Sequence, residues 1–383
     1  MNASLSFQHL AADLRLHCGE DSLAALVKEL KRNGCRRAVV VSGRSVSVSP
    51  AMDLLRAALG PLLVGESPSV RPNSPVPAVE EAARVLREQE ADAVIAVGGG
   101  SAAVSARAAA VLLAEQRPAQ ELCTRRLPSG QFESPRLDAP KLPQFVVPTT
   151  PSTAFVKAGS AVHDEATGQR LALFDPKTRA RALFLHPAFL RTAPHGLVQG
   201  AALNTLSTAV EALESPRCDP ISEAMLMHAL RLVARHIGRV EPDDIAAREY
   251  LVLAAVLCGR GTEQAGGGLA SVLAHAIGHR AHASNGIVNA IVLPHTMRFN
   301  EPATIATSGR ISEALGSAQT SAAEVLERLL APLPIPHRLR EIGLAQLDLD
   351  AIANAAMSDF FISRSARRVQ GVSDVRGILD AAW

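Results

Sequence analysis

The stretch Ala91–Arg107, ADAVIAVGGGSAAVSAR, decides how this chain is read. A short apolar run, Ala93–Val97, ends in three glycines and a serine and passes directly into an alanine-rich helical pattern. Such a strand–turn–helix suits a diphosphate. Gly98, Gly99 and Gly100 let the backbone approach an anion without Cβ clashes, and the first turn of the following helix offers unpaired N–H groups at the positive end of its dipole. With Ser101 they form a candidate nucleotide-binding turn. The competing reading is a glycine turn kept for helix–strand packing.

Working outward, short β-branched runs alternate with amphipathic stretches on both sides of this turn. Strands are expected at Arg37–Ser42, Leu62–Val64, Ala93–Val97, Gln144–Pro148 and Ala182–Leu185, and helices at Ser22–Asn33, Ala51–Leu59 and Val76–Gln89. This alternation predicts a doubly wound, mostly parallel α/β sheet. Ser129–Pro143, rich in proline, glycine and polar residues, reads as a surface excursion. Near residue 190 the strand signal stops. Long Ala/Leu-rich helical patterns follow at Leu197–Glu214, Ile221–His236, Ala246–Gly259, Leu269–His282, Ile311–Leu315, Ala322–Leu330 and Asp348–Ser358. Two domains are expected, 1–188 α/β and dinucleotide-binding, and 189–383 all-helical and carrying the substrate site, with a ligand cleft between them.

Composition narrows the classes. The chain has 383 residues, of which 48% are hydrophobic but 3% aromatic, so its cores must be built from Ala, Val and Leu. Its formal net charge of +2 is spread along the sequence and gives no reason to expect nucleic acid or a membrane surface. Cys18, Cys35, Cys123, Cys218 and Cys258 are odd in number and scattered, which reads as free thiols in a reducing compartment. No signal peptide pattern is visible and the longest apolar run is short, so a soluble, cytoplasmic protein is expected.

GGGS after a strand, PTT at Pro148–Thr150, HDEATGQRLALFDPKTRARALFLHP at His163–Pro187 and NAIVLPHTMRFN at Asn289–Asn300 together resemble the iron-containing (group III) alcohol dehydrogenase family, most closely its maleylacetate reductase branch. The resemblance runs from about residue 7 to the end. It implies a dehydroquinate synthase-like, iron-dependent alcohol dehydrogenase architecture, NAD(P)H-dependent carbonyl chemistry, and a homodimer through the α/β domain. Gly98–Ser101 then match the family's diphosphate turn, and Thr149 and Thr150 match residues at the nicotinamide half.

The departures carry as much information. Enzymes of this family hold a divalent metal with an Asp and a His four residues apart on one helix, plus two later His. Aligned on Glu211, those positions fall on Asn204, Thr208, Ser271 and Asn285. Neutral amides and hydroxyls lack the charge or basicity that Fe²⁺ or Zn²⁺ requires, so no metal is expected there. His275 occupies a family histidine position near the nicotinamide end and is the first candidate for a proton donor; a buried His bonded to backbone is the plainer alternative. His279 and His282 lie four and seven residues further on, on the same face if the helix continues. A new zinc site at His275 and His279 is disfavoured by Gly278 and by the lack of a nearby carboxylate in sequence. Lys157 is a candidate for holding a substrate carboxylate or assisting catalysis, or else a solvated loop lysine.

At the cofactor end, Val104, Ser105 and Arg107 stand where relatives carry an Asp-Thr-x-Lys pattern. After PTT the chain continues PSTAFVK, where Pro151 and Phe155 bring bulk to a loop usually small. At the end of the VVVSGRSV strand, Ser42 and Arg44 replace the acidic residue that would hold a ribose 2′-hydroxyl. Arg44 is therefore a candidate partner for the 2′-phosphate of NADPH, or an ordinary surface arginine. Three readings follow: a metal-independent NAD(P)H-dependent reductase of a carbonyl or activated alkene in a small carboxylate, maleylacetate being what the resemblance suggests; a lyase, decarboxylase or cyclase using His275 and His279 as acid and base; and a silent homologue that binds a metabolite or partner.

Overall fold

In a computed structural model, residues 6–127, 131–278, 280–281, 283–317 and 321–383 are described. The chain divides into two compact units, Ala12–Pro194, and His195–Trp383 together with the N-terminal residues up to Ala11.

The first unit is built on a six-stranded, all-parallel sheet. In chain order its elements are β1 (Arg15–Cys18), α1 (Ser22–Arg32), β2 (Ala38–Gly43), α2 (Pro50–Leu59), β3 (Leu63–Val70), α3 (Val76–Glu88), β4 (Ala93–Gly98), α4 (Gly100–Glu115), β5 (Gln144–Pro148), an antiparallel hairpin β6 (Gly159–Asp164) and β7 (Gln169–Phe174), and β8 (Ala180–Leu185). The sheet order is β1-β8-β5-β4-β2-β3. β2 and β4 are buried along almost their whole length, as continuous apolar runs in a sheet covered on both faces should be. α1 lays Leu23, Leu26 and Leu30 on that sheet, the i, i+3, i+7 spacing of one helical face. α4 is different. Its alanines let it sink until ten of its residues are buried.

The order of the strands fixes where a ligand belongs. From β2 the chain runs outward to β3, then returns across β2 to β4 and continues in the opposite direction through β5 and β8. The connections leaving β2 and β4 therefore diverge. Their carboxyl ends flank the switch point, where open α/β sheets leave a crevice.

The second unit is helical: α5 (His195–Glu214), α6 (Pro220–His236), α7 (Ile245–Ala265), α8 (Leu269–Ile277), α9 (Asn285–Ala314), α10 (Ala322–Leu330), α11 (Leu349–Ala356) and α12 (Val372–Ala382). Asp219 caps α6, accepting from Ile221 N–H at 2.9 Å and Ser222 N–H at 3.0 Å, and its other oxygen lies 3.2 Å from His9 Nδ1. That contact ties the N-terminal segment to this unit. α9 contains Pro294 and Pro302 and bends at Thr304, whose φ of −122° is not helical. Where α9 crosses α5 the backbones touch so closely that a Cβ on Gly286 would run into the Gly200 carbonyl.

Three sequence expectations change here. The helix expected over 269–282 ends at Ile277, with Gly278 as its cap. The pattern seen at Ile311–Leu315 is the end of a much longer helix, concealed by its two prolines. The sheet has a further edge strand, β1, and the unit has a hairpin that periodicity did not signal.

Candidate functional site

The parallel register draws the proposed cofactor residues to one end of the sheet. Ser42 lies opposite Val97, and Gly98 opposite Pro148, so the segments leaving β2, β4 and β5 emerge side by side. Gly98 has a φ of +144°, which L side chains rarely adopt, and a Cβ there would sit 2.9 Å from the Ala102 methyl group. A Cβ on Gly99 would fall 2.7 Å from Thr150 Oγ1, and one on Gly100 2.7 Å from Ser152 Oγ. The glycines thus serve two ends. They admit the neighbouring PTT loop at close range, and they leave α4 beginning in a half-exposed turn whose first N–H groups have no intrahelical acceptors. Thr149 N–H donates to the Gly98 carbonyl at 3.0 Å, and both threonines are largely buried. Arg44 is exposed and opens a single helical turn, Arg44–Ser47.

The bulk in PSTAFVK has a structural cause. Phe155 is fully buried and belongs to the core beneath the loop rather than to its surface. Arg107 is also fully buried and donates to the carbonyls of Gly159 at 2.5 Å and Ala154 at 2.6 Å. It therefore clamps the segment after PTT from below. Lys157 is half-buried at the end of the 3₁₀ turn Thr153–Val156.

In the helical unit the four family ligand positions sit on α5, α8 and the start of α9. Glu211 joins the first two. The Ser271 backbone N–H donates to its Oε1 at 2.8 Å, and the Ser271 hydroxyl donates to its Oε2 at 2.5 Å. Burial pushes the Glu211 carboxyl above its ordinary range, partly offset by those bonds. One turn back on α5, the Thr208 hydroxyl donates to the Asn204 carbonyl at 2.7 Å, and Asn289 Nδ2 donates to Asn204 Oδ1 at 3.0 Å. Asn285 is exposed, its Oδ1 3.3 Å from where a Cβ on Gly278 would lie. As a donor set for a divalent cation these residues do not fit. They offer no carboxylate and no imidazole, the amide oxygen of Asn204 is already taken, and no group of three His, Cys, Asp or Glu that could hold a metal occurs among the described residues.

His275, on α8, is half-buried and faces a carboxylate that sequence reading missed. Its Nδ1 lies 2.9 Å from Asp359 Oδ2, and the Phe361 ring stands 6.2 Å away at a tilt. Asp359 is held by its own turn, its Oδ1 accepting from Phe361 N–H at 2.8 Å. A carboxylate facing Nδ1 accepts its proton and fixes the imidazole's orientation, which leaves Nε2 as the nitrogen able to take up and give back a proton. The sequence argument that His275 lacked a neighbouring carboxylate is therefore corrected. No local signal pairs residues 84 positions apart. His279 and His282 lie outside the described residues. Asn289 was visible as a polar residue in the apolar NAIVLP run, yet its partner was not.

A glycine-turn crevice at the switch point of a parallel sheet, joined in one chain to a helical unit with an acid–base dyad, defines a two-unit oxidoreductase. Residues 14–187 match the iron-containing alcohol dehydrogenase family, and residues 200–383 match the C-terminal part of the Fe-containing alcohol dehydrogenase family. The chain belongs to this family and is an oxidoreductase. It is 26% identical over 379 residues to lactaldehyde reductase of Escherichia coli K12, covering 95% of this chain and 97% of that one. It is 27% identical over 359 residues to maleylacetate reductase of Rhizobium sp. MTP-10005, covering 92% of each. The crystal structure of maleylacetate reductase from Agrobacterium tumefaciens superposes with a TM-score of 0.83 at 25% identity over 99% of both chains. Among the described residues no helix is long and apolar enough to cross a membrane.

Proposed function

We propose that this protein is a metal-independent NAD(P)H-dependent reductase acting on a carbonyl or an activated alkene of a small carboxylate, in the manner of a maleylacetate reductase. The observation that carries the reading is the polar cluster on α5, α8 and α9. Asn204, Thr208, Ser271 and Asn285 form a neutral hydrogen-bonding set where a cation would otherwise polarise the substrate, while the His275–Asp359 dyad remains available to supply a proton. The maleylacetate reductase relatives support the same substrate class.

The α/β unit fits the nucleotide. Gly98–Ser101 would receive the diphosphate at the start of α4, Thr149 and Thr150 the nicotinamide half, and Ser42 and Arg44 the adenosine ribose, with Arg44 favouring a 2′-phosphate. The bound nucleotide supplies a hydride. The chain's own residues then have two tasks: hydrogen bonds from the pocket hold the substrate oxygen as negative charge grows on it, and His275 Nε2 delivers the proton that neutralises it. Lys157 is a candidate for a substrate carboxylate. The burial of Phe155 weighs against a repurposed, non-redox enzyme, because the bulk it adds does not enter the loop surface. We place the protein in the cytoplasm as a homodimer through its α/β unit, with a small-molecule partner and neither nucleic acid nor membrane.

The test is a fluorescence titration of chelator-treated protein with NADH and NADPH, followed by a screen of 2-oxo acids and maleylacetate for loss of nicotinamide absorbance. Micromolar nucleotide binding with metal-free turnover is expected. No binding up to millimolar nucleotide would remove the redox reading.

A further inference from the structure

The polar groups around Asn204 can be sorted into those whose protons are committed and those whose protons are free. The Thr208 hydroxyl spends its proton on the Asn204 backbone carbonyl, leaving lone pairs alone for a ligand. The Ser271 hydroxyl is engaged with Glu211. Asn204 is half-exposed, and its Oδ1 is held by Asn289 Nδ2. Asn289 is 2% exposed, and its own Oδ1 is buried with no partner among the described residues.

That orphaned oxygen bears on the direction of the pair. One Asn289 N–H is unpartnered in either direction, so reversing both amides would exchange an orphaned carbonyl oxygen for a second orphaned N–H, and a buried donor is the rarer orphan. Reversing Asn204 alone would set two NH₂ groups against each other. The buried Asn289 therefore favours Asn204 with its oxygen inward and its NH₂ outward. A metal-binding carboxylate at this position would present negative charge; this amide presents a donor.

We propose that Asn289 orients Asn204 so that the Asn204 amide N–H donates to the carbonyl oxygen of the substrate, taking over charge stabilisation at the position where relatives place a metal ligand. This rests on the reductase reading above and names the group that holds the reacting oxygen. During hydride transfer the C=O π-bond breaks, its electron pair moves to oxygen, and Asn204 and His275 face that developing charge from α5 and α8. Asn289 touches no substrate and is a positioning residue.

Two measurements test this on the full chain. Neutron diffraction from deuterated crystals of the wild-type protein reads the amide directly: deuterium on the Asn204 atom turned away from Asn289 is expected, and an outward oxygen would overturn the inference even in an active enzyme. Kinetics of Asn204→Asp, an isosteric change from donor to acceptor, are then compared with wild type on pyruvate, oxaloacetate and 2-oxoglutarate in the presence of chelator. kcat should fall by about a hundredfold, the usual effect of losing one oxyanion donor. NADH affinity should be unchanged, and added Zn²⁺ or Fe²⁺ should not restore the rate. Asn289→Leu should lower kcat about tenfold with NADH affinity unaltered, since the amide is then free to turn. Unchanged kcat in Asn204→Asp overturns the proposal. A wild-type enzyme that reduces no carbonyl removes the function reading, and with it the assigned acceptor, whatever the neutron map shows.

Discussion

The glycine turn of the α/β unit and the polar cluster of the helical unit differ in what they are made of, and that decides what each can tolerate. The turn works through backbone: φ values, N–H groups and close approach. Gly98, Gly99 and Gly100 cannot change without colliding with Ala102, Thr150 or Ser152. The polar cluster works through side chains, with Thr208 on the Asn204 carbonyl, Ser271 on Glu211 and Asn289 on Asn204.

The largest expected effects separate the two regions. His275→Ala should lower kcat by about 10²–10⁴ while leaving NADH affinity intact, because the variant keeps the turn and loses the proton donor. Gly98→Ala should do the reverse in binding: a methyl group at φ +144° costs about 1–3 kcal/mol of strain, and titration should show NADH affinity reduced at least tenfold. If His275→Ala instead lost nucleotide binding and kept turnover on what remained bound, the division of labour would be wrong.

Arg107→Met probes the support beneath the turn. The buried guanidinium donates to the Ala154 and Gly159 carbonyls, and its removal takes that donor from both, leaving Ala154 the long bond from Lys157 N–H at 3.4 Å. Denaturant unfolding should register a loss of about 2–4 kcal/mol. A loss confined to activity would mean that Arg107 acts on a ligand.

The same contrast explains what could be read in advance. The central strands were legible because each is a continuous apolar run, and the turn because glycine triplets after such runs are rare. β1 escaped notice because RLHC carries no apolar run; its identity comes from pairing with Ala182–Leu185, which lies far along the chain. α9 was split by Pro294 and Pro302, whose local rule against helices is overridden by packing against α5. In the pocket, the residue types at the ligand positions were plain, but their polarity was not. Asp359 beside His275 and Asn289 beside Asn204 are long-range facts that periodicity does not encode.

A smaller effect concerns pH. Burial raises the Glu214 carboxyl to about 8, opposed by the Asn300 side-chain amide, which donates to it at 2.7 Å, and reinforced by the charge of Glu211. A carboxyl whose folded pKa lies above its unfolded value binds its proton more tightly when folded. Its contribution to stability is therefore complete below about pH 4.5 and is lost as pH rises to about 8. Glu214→Gln keeps the shape and an acceptor for Asn300 but cannot ionise. Its Tm should be flatter than wild type between these limits and higher at the alkaline end, by the equivalent of about 1–3 kcal/mol. Parallel Tm profiles for the two proteins would place the titration elsewhere.

The smallest effect expected is at Arg44, which tests how far the backbone-built site extends into side-chain recognition. Its position follows from the sheet: Ser42 ends β2 beside Val97, and Arg44 opens the next turn on the same side of the switch point. An exposed arginine there gains little from a distant charge but more from a phosphate in direct contact, and the gain is screened by salt. Arg44→Ala should weaken NADPH binding about three- to tenfold at low ionic strength, with the difference shrinking in high salt, and should leave NADH binding unchanged. Equal loss for both nucleotides would assign Arg44 to the diphosphate, extending the anion site beyond Gly98–Ser101. No change for either would return it to the solvated surface and leave nucleotide preference to the backbone around Ser42.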